Sequence, residues 1–144
     1  MERLTNPINL FWLCVLLHLI ADYTLQGCLA NLKQREWWKD QIKLYYQKHD
    51  GANKSYEWKN RLIERYTGDY IAGLGCHALM WSIMTYLPLM LVCTPTVYSI
   101  VVLANTVVHF VVDHLKANVH CINLRHDQLL HILQIVATIV VVTL

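Results

Sequence analysis

Three pairs of residues in this 144-residue chain set an imidazole and a carboxylate four positions apart: His18 with Asp22, His109 with Asp113, and Asp127 with His131. Residues four apart share one face of a helix, so each pair offers a nitrogen and an oxygen towards one point. His77 adds a fourth imidazole. All seven stand in otherwise apolar stretches, where a charged side chain costs roughly 2.5–3.5 kcal/mol on insertion scales. Zinc, iron and manganese accept such a mixture of donors, with zinc the first expectation. Seven donors exceed the four of a structural zinc site. They suffice for two metals with open positions, or for one metal with a general acid/base and supporting carboxylates. The expected ligands are His18, Asp22, His77, His109, Asp113, Asp127 and His131, with Asp22, Asp113 and Asp127 as candidate catalytic groups. The plainer alternative is that each pair only hydrogen-bonds within or between helices.

The elements that carry these residues follow from charge and hydropathy. Apolar residues make up 56% of the chain and the mean hydropathy is +0.32, which excludes disorder. The length excludes a large multidomain enzyme. Of twelve Lys and Arg and ten Asp and Glu, fifteen fall between Asn31 and Asp69. Outside that block only Glu2, Arg3, Asp22, Asp113, Lys116, Arg125 and Asp127 are charged. Such confinement is a membrane pattern, and a span needs roughly 20 mainly apolar residues. Four spans are expected, at about 8–30, 70–93, 96–117 and 127–144. The fold class is therefore all-α: a four-helix transmembrane bundle, one integral membrane domain, with a helical hairpin inserted at 31–69. The insertion holds nine Lys and Arg, and Lys116 and Arg125 lie on the same side, against Arg3 on the other. By the positive-inside rule this predicts the cytoplasmic (inner) membrane, with 31–69 in the cytoplasm and the termini outside.

Counted inward from the span ends, most of the seven polar residues fall in the same cytoplasmic half of the bilayer. Adjacent helices can then bring them together. Residues Leu32 to His49 and Tyr56 to Tyr66 read as two short helices about a turn at Asp50-Gly51-Ala52-Asn53, with Trp38, Ile42 and Tyr45, then Trp58, Leu62, Ile63 and Tyr66, on their apolar faces. The hairpin is expected at headgroup level, or as a lid or partner-binding addition. Gly68 is a plausible stop, and Asp69 a cap for the next helix. His114 should face away from Asp113, Lys116 should reach the membrane edge or a substrate phosphate, and His49, His120 and His126 should lie in loops. Leu25-Gln26-Gly27-Cys28 faintly resembles a lipoprotein cleavage site, but His18 and Asp22 interrupt the apolar run before it. The five cysteines have no paired spacing and predict neither disulfides nor a zinc knuckle. Six Asp and Glu offset the nine basic residues of the insertion, which argues against nucleic acid.

The runs His18-Leu19-Ile20-Ala21-Asp22-Tyr23-Thr24-Leu25-Gln26, His77, His109-Phe110-Val111-Val112-Asp113-His114-Leu115-Lys116 and Asp127-Gln128-Leu129-Leu130-His131 together resemble an uncharacterised domain family. It comprises small multi-span membrane proteins of bacteria and their phages. The resemblance covers all four spans in order, and the 31–69 insertion departs from the family's usual pattern. The design is more distantly similar to membrane-bound metal-dependent hydrolases. Those likenesses imply no established activity. The residues themselves point to a metal-dependent hydrolase in which the metal activates water against a lipid or phosphoester reached from the inner leaflet. The alternative is a non-enzymatic membrane module, phage-encoded by resemblance, acting on a host membrane process through a partner held by 31–69. A proton or ion relay is disfavoured because the cluster occupies one half of the bilayer. A haem bundle is disfavoured by the Asp residues. Helices this short would also suit a homodimer.

Overall fold

The computed structural model describes residues 6–49 and 56–144, and every regular element among them is helical. Helix α1 spans Pro7–Tyr23 and the single turn α2 spans Leu29–Leu32. The insertion forms α3, Arg35–His49, and α4, Tyr56–Tyr66. Then come α5, Tyr70–Tyr86, a 3₁₀ turn at Leu87–Leu91, α6, Pro95–Ala117, and α7, Leu124–Thr143. The expected turn at 50–53 lies outside the described residues, as does the side chain of Trp58.

The ends of these helices follow from local chemistry. Asn6 accepts the backbone N–H of Ile8 at 2.9 Å, and Pro7 sits where no N–H is needed. Thr94 and Pro95 open α6 in the same way, and Asn123 opens α7 by accepting from the N–H of His126. Asp69 occupies the cap position of α5, but its side chain makes no capping bond, contrary to expectation. Pro88 cannot donate to a carbonyl one turn back, so α5 gives way to the 3₁₀ turn instead of running to 93.

The first expected span is corrected. Instead of continuing to Ala30, α1 stops at Tyr23; the chain then passes through a left-handed backbone at Gly27 (φ +46°) before α2 restarts it. Its 17 residues extend about 25 Å, short of a hydrocarbon core of about 30 Å. Three stretches are long and apolar enough to cross a membrane: Asn60–Leu91, whose apolar part is α5 with its 3₁₀ turn, Pro95–Ala117 and Leu124–Thr143.

Helices α1, α5, α6 and α7 form a ring in which α1 packs on α5 and α7, and α6 packs on α5 and α7. The ring is inverted relative to a water-soluble bundle. Large apolar side chains such as Trp12, Leu16, Ile100, Leu103, Val107 and Leu133 are more than half exposed on its outside. His18, His109, His131 and Asp127 are fully buried within it. An apolar belt of this extent belongs against lipid. Inside, Leu10, Cys14, Trp81, Tyr86, Leu89, Ile135 and Ile139 form an apolar core. Tyr86, Gln134 and Thr138 close a hydrogen-bonded network around Asn105. All five cysteines are free.

Candidate metal centre

The ring brings all seven expected residues into one buried cluster. Its floor is Trp81, whose ring stacks on His109 with centroids 4.0 Å apart and an interplanar angle of 18°. The indole Nε1 donates to His18 Nδ1 at 2.9 Å. That bond fixes the tautomer: His18 Nε2 carries the proton and donates to Gln128 Oε1 at 3.1 Å. The amide of Gln128 in turn donates to Asp22 Oδ2 and Asp127 Oδ2, both at 3.2 Å. Both nitrogens of His18 are thus engaged. It orients Gln128, and through it two carboxylates.

Asp113 sits at the centre with its two oxygens facing different neighbours. Oδ2 accepts from Lys33 Nζ at 2.7 Å and lies 3.1 Å from His77 Nε2. His77 Nε2 is 3.2 Å from both Lys33 Nζ and His109 Nε2, and 3.9 Å from Asp22 Oδ1. Oδ1 of Asp113 faces His131 Nε2 at 3.5 Å. His131 Nε2 also lies 3.4 Å from Asp127 Oδ1. The other oxygen of Asp127 is held by Lys116 Nζ at 2.5 Å, so Lys116 is an ion-pair partner within the cluster.

Several of these donors have no hydrogen-bond partner. Both nitrogens of His131, Asp127 Oδ1 and His109 Nδ1 are buried and unsatisfied. An unpaired buried carboxylate oxygen or imidazole costs roughly 1–3 kcal/mol or more, so its persistence needs a reason. Two donors each about 2.0–2.1 Å from a tetrahedral metal stand roughly 3.3–3.4 Å apart. The separations of His131 Nε2 from Asp113 Oδ1 and Asp127 Oδ1, 3.5 and 3.4 Å, match that edge. His109, Asp113 and His131 can hold a metal ion together, and so can Asp22, His77 and His109. His18 and Asp127 belong to neither trio, though Asp127 borders the first through His131. Buried imidazole and carboxylate donors therefore fit a divalent metal by type, spacing and unsatisfied lone pairs.

Three contributors were not singled out from sequence. Trp81 reads as an ordinary core aromatic, and Gln128 is one residue of the Asp127-to-His131 run. Lys33 is hidden among nine basic residues of the insertion, and its only sequence signal is its place at the membrane edge, just after the first apolar segment. The structure gives it a specific seat. Gly73 of α5 lies so close to α2 that a Cβ there would be 2.6 Å from the Leu32 carbonyl oxygen. Asn118 donates to the Lys33 carbonyl at 3.0 Å and accepts from the Arg35 N–H at 2.8 Å. Trp38 Nε1 donates to the Leu32 carbonyl at 2.9 Å. Lys33 is left 7% exposed, its side chain directed into the ring.

His114, His120 and His126 stay out of the cluster, and the side chain of His49 lies outside the described residues. His114 stacks on Tyr70 with centroids 6.0 Å apart, turned from Asp113 as expected. His120 is in the loop before α7. His49 ends α3 and His126 lies in the first turn of α7, so neither is a loop residue. Comparison with protein-family models, curated proteins and solved structures found no match to this chain.

Proposed function

We propose that this chain is a multi-span protein of the cytoplasmic membrane that holds a divalent metal, zinc first, and serves as a metal-dependent hydrolase of a lipid or phosphoester. One observation carries the reading: His131 Nε2 and Asp127 Oδ1 are fully buried and make no hydrogen bond, and His131 Nε2 stands at the ligand-to-ligand distance from both Asp113 Oδ1 and Asp127 Oδ1. His109, Asp113 and His131 would hold the ion, with Asp127 beside them. A bound metal would polarise a substrate oxygen and lower the pKa of water. The chain's own residues supply the rest. His18 and Gln128 orient Asp22 and Asp127, Trp81 fixes the His109 ring, and Asp22, held at the edge of the cluster, is the carboxylate placed to take a proton. The four-span topology includes α1 as a short span, accommodated by local thinning of the bilayer. The excess of Lys and Arg in 31–69 supports its cytoplasmic placement. Membership of the bacterial and phage family is part of the same reading.

The second reading is a non-enzymatic module. It draws on Lys33 and Lys116, which each neutralise a carboxylate and so hold the cluster together without a metal. Metal analysis of detergent-purified protein separates the two. The expected result is stoichiometric metal in the native chain, lost in His131→Ala and Asp127→Asn, together with phosphate or ester release from inner-leaflet lipids. Absence of metal at every loading condition would sink the hydrolase reading. Metal without hydrolysis would favour the module.

A further inference from the structure

The Asp113 carboxylate has the disposition of a bridge between two cation positions. One position, at Oδ1, holds no cation: its neighbours His131 Nε2 and Asp127 Oδ1 stand at ion-pair distance but make no hydrogen bond. The other, at Oδ2, already holds a cation, the Lys33 ammonium at 2.7 Å, which also reaches His77 Nε2 at 3.2 Å. We infer that Lys33 is a built-in second cation, so that the centre takes a single metal at the His109, Asp113 and His131 side while the ammonium fills the Asp22 and His77 side. This rests on the metal reading above and specifies its stoichiometry.

Charge favours the same count. Asp22, Asp113 and Asp127 face Lys33 and Lys116, which leaves one carboxylate charge uncompensated when the imidazoles are neutral. One dication more than offsets it, and a second would add unpaired positive charge in a low-dielectric interior. Geometry excludes simple coexistence too. An ion bound by His77 together with Asp113 Oδ2 would compete with an ammonium already within hydrogen-bonding distance of both atoms. Nor is Lys33 an incidental surface residue. Lys39 and Lys43 of the same insertion pair with Glu36 and Asp40 in exposed contacts, whereas Lys33 is the one buried lysine among the described residues. Its backbone is fixed by Asn118 and by the close approach of Gly73 to Leu32.

The arrangement has a chemical consequence. A metal bound beside this ammonium would present a second positive group next to the first, which would suit a phosphoryl group with two anionic oxygens better than a neutral ester. Lys33 would contact one oxygen directly, with no proton transfer required of it.

The test is saturation with zinc or cobalt, free metal removed, and metal per chain counted in wild type, Lys33→Ala, Lys33→Met and Lys33→Arg in detergent. The expected counts are one in wild type and in Lys33→Arg, and two in Lys33→Ala and Lys33→Met, where the Asp22 and His77 side is vacated. Lys33→Met keeps an apolar stem, which protects the fold. Two metals in wild type overturn the inference without reference to any variant. One metal in all four proteins, bound with unchanged affinity, overturns it while leaving the metal reading intact. None in any of them overturns both.

Discussion

Gly73 and Gly75 stand two residues apart on α5 and should respond to alanine in opposite directions. A Cβ at Gly75 meets nothing within 4 Å, so Gly75→Ala only exchanges a poor helix former for the best one. That exchange stabilises a helix interior by about 0.8–1.0 kcal/mol. A Cβ at Gly73 would lie 2.6 Å from the carbonyl oxygen of Leu32 and 2.7 Å from its carbonyl carbon. Both are backbone atoms, so no side chain can swing aside, and α2 itself must retreat. Overpacking of this kind costs roughly 1–3 kcal/mol, which cancels the propensity gain and exceeds it. The two variants should therefore differ by about 1–3 kcal/mol in unfolding free energy. Retreat of α2 also withdraws Lys33, whose Nζ is only 2.7 Å from Asp113 Oδ2. Thermal unfolding in detergent, followed by tryptophan fluorescence, gives the stability difference, and metal counting on the same samples reports the seat of Lys33. Equal stability of Gly73→Ala and Gly75→Ala would refute the close contact, and with it the account of how Lys33 is positioned.

His18→Ala should keep the native metal content and lose about 1–3 kcal/mol of stability, because both ring nitrogens are spent on Trp81 and Gln128; loss of metal with unchanged stability would show instead that His18 is a ligand. Asn118→Ala removes two bonds that clamp the turn around Lys33, so hydrogen exchange at Lys33 and Arg35 should speed up while exchange in α6 stays slow. Unchanged exchange at those two amides would mean that Gly73 alone holds the turn.

The candidate site was legible because of where its polar residues are. In a water-soluble helix an Asp four residues from a His is unremarkable. In an apolar segment each such pair carries a desolvation cost, and Asp22, Asp113 and Asp127 are the carboxylates that remain once the charged block and the chain's N-terminal charges are set aside. The helical period then predicts that each pair shares a face, as observed for His131 and Asp127 at 3.4 Å and His109 and Asp113 at 3.7 Å. What escaped were features without periodicity. Tyr23 ends α1 and Gly27 turns the chain through a left-handed backbone, and hydropathy continues across that turn without a break. Asp69 has a capping identity but a helical backbone that denies it the bond.

Composition and spacing by themselves determined an apolar all-helical chain with a charged insertion and three His–Asp pairs turned towards common faces. Those are properties of single helices, fixed by the 3.6-residue turn and by the cost of charge in an apolar segment. Only the tertiary structure decided which donors are free and which are occupied. His18 is spent on Trp81 and Gln128, His131 and one oxygen of Asp127 are left without a hydrogen bond, and Lys33 comes from the insertion to one side of Asp113. The physical reason is that hydrogen-bond satisfaction depends on neighbours from other helices. Lys33 and Asp113 are 80 residues apart in the chain, and it is the packing of α2 on Gly73 that brings their side chains to 2.7 Å.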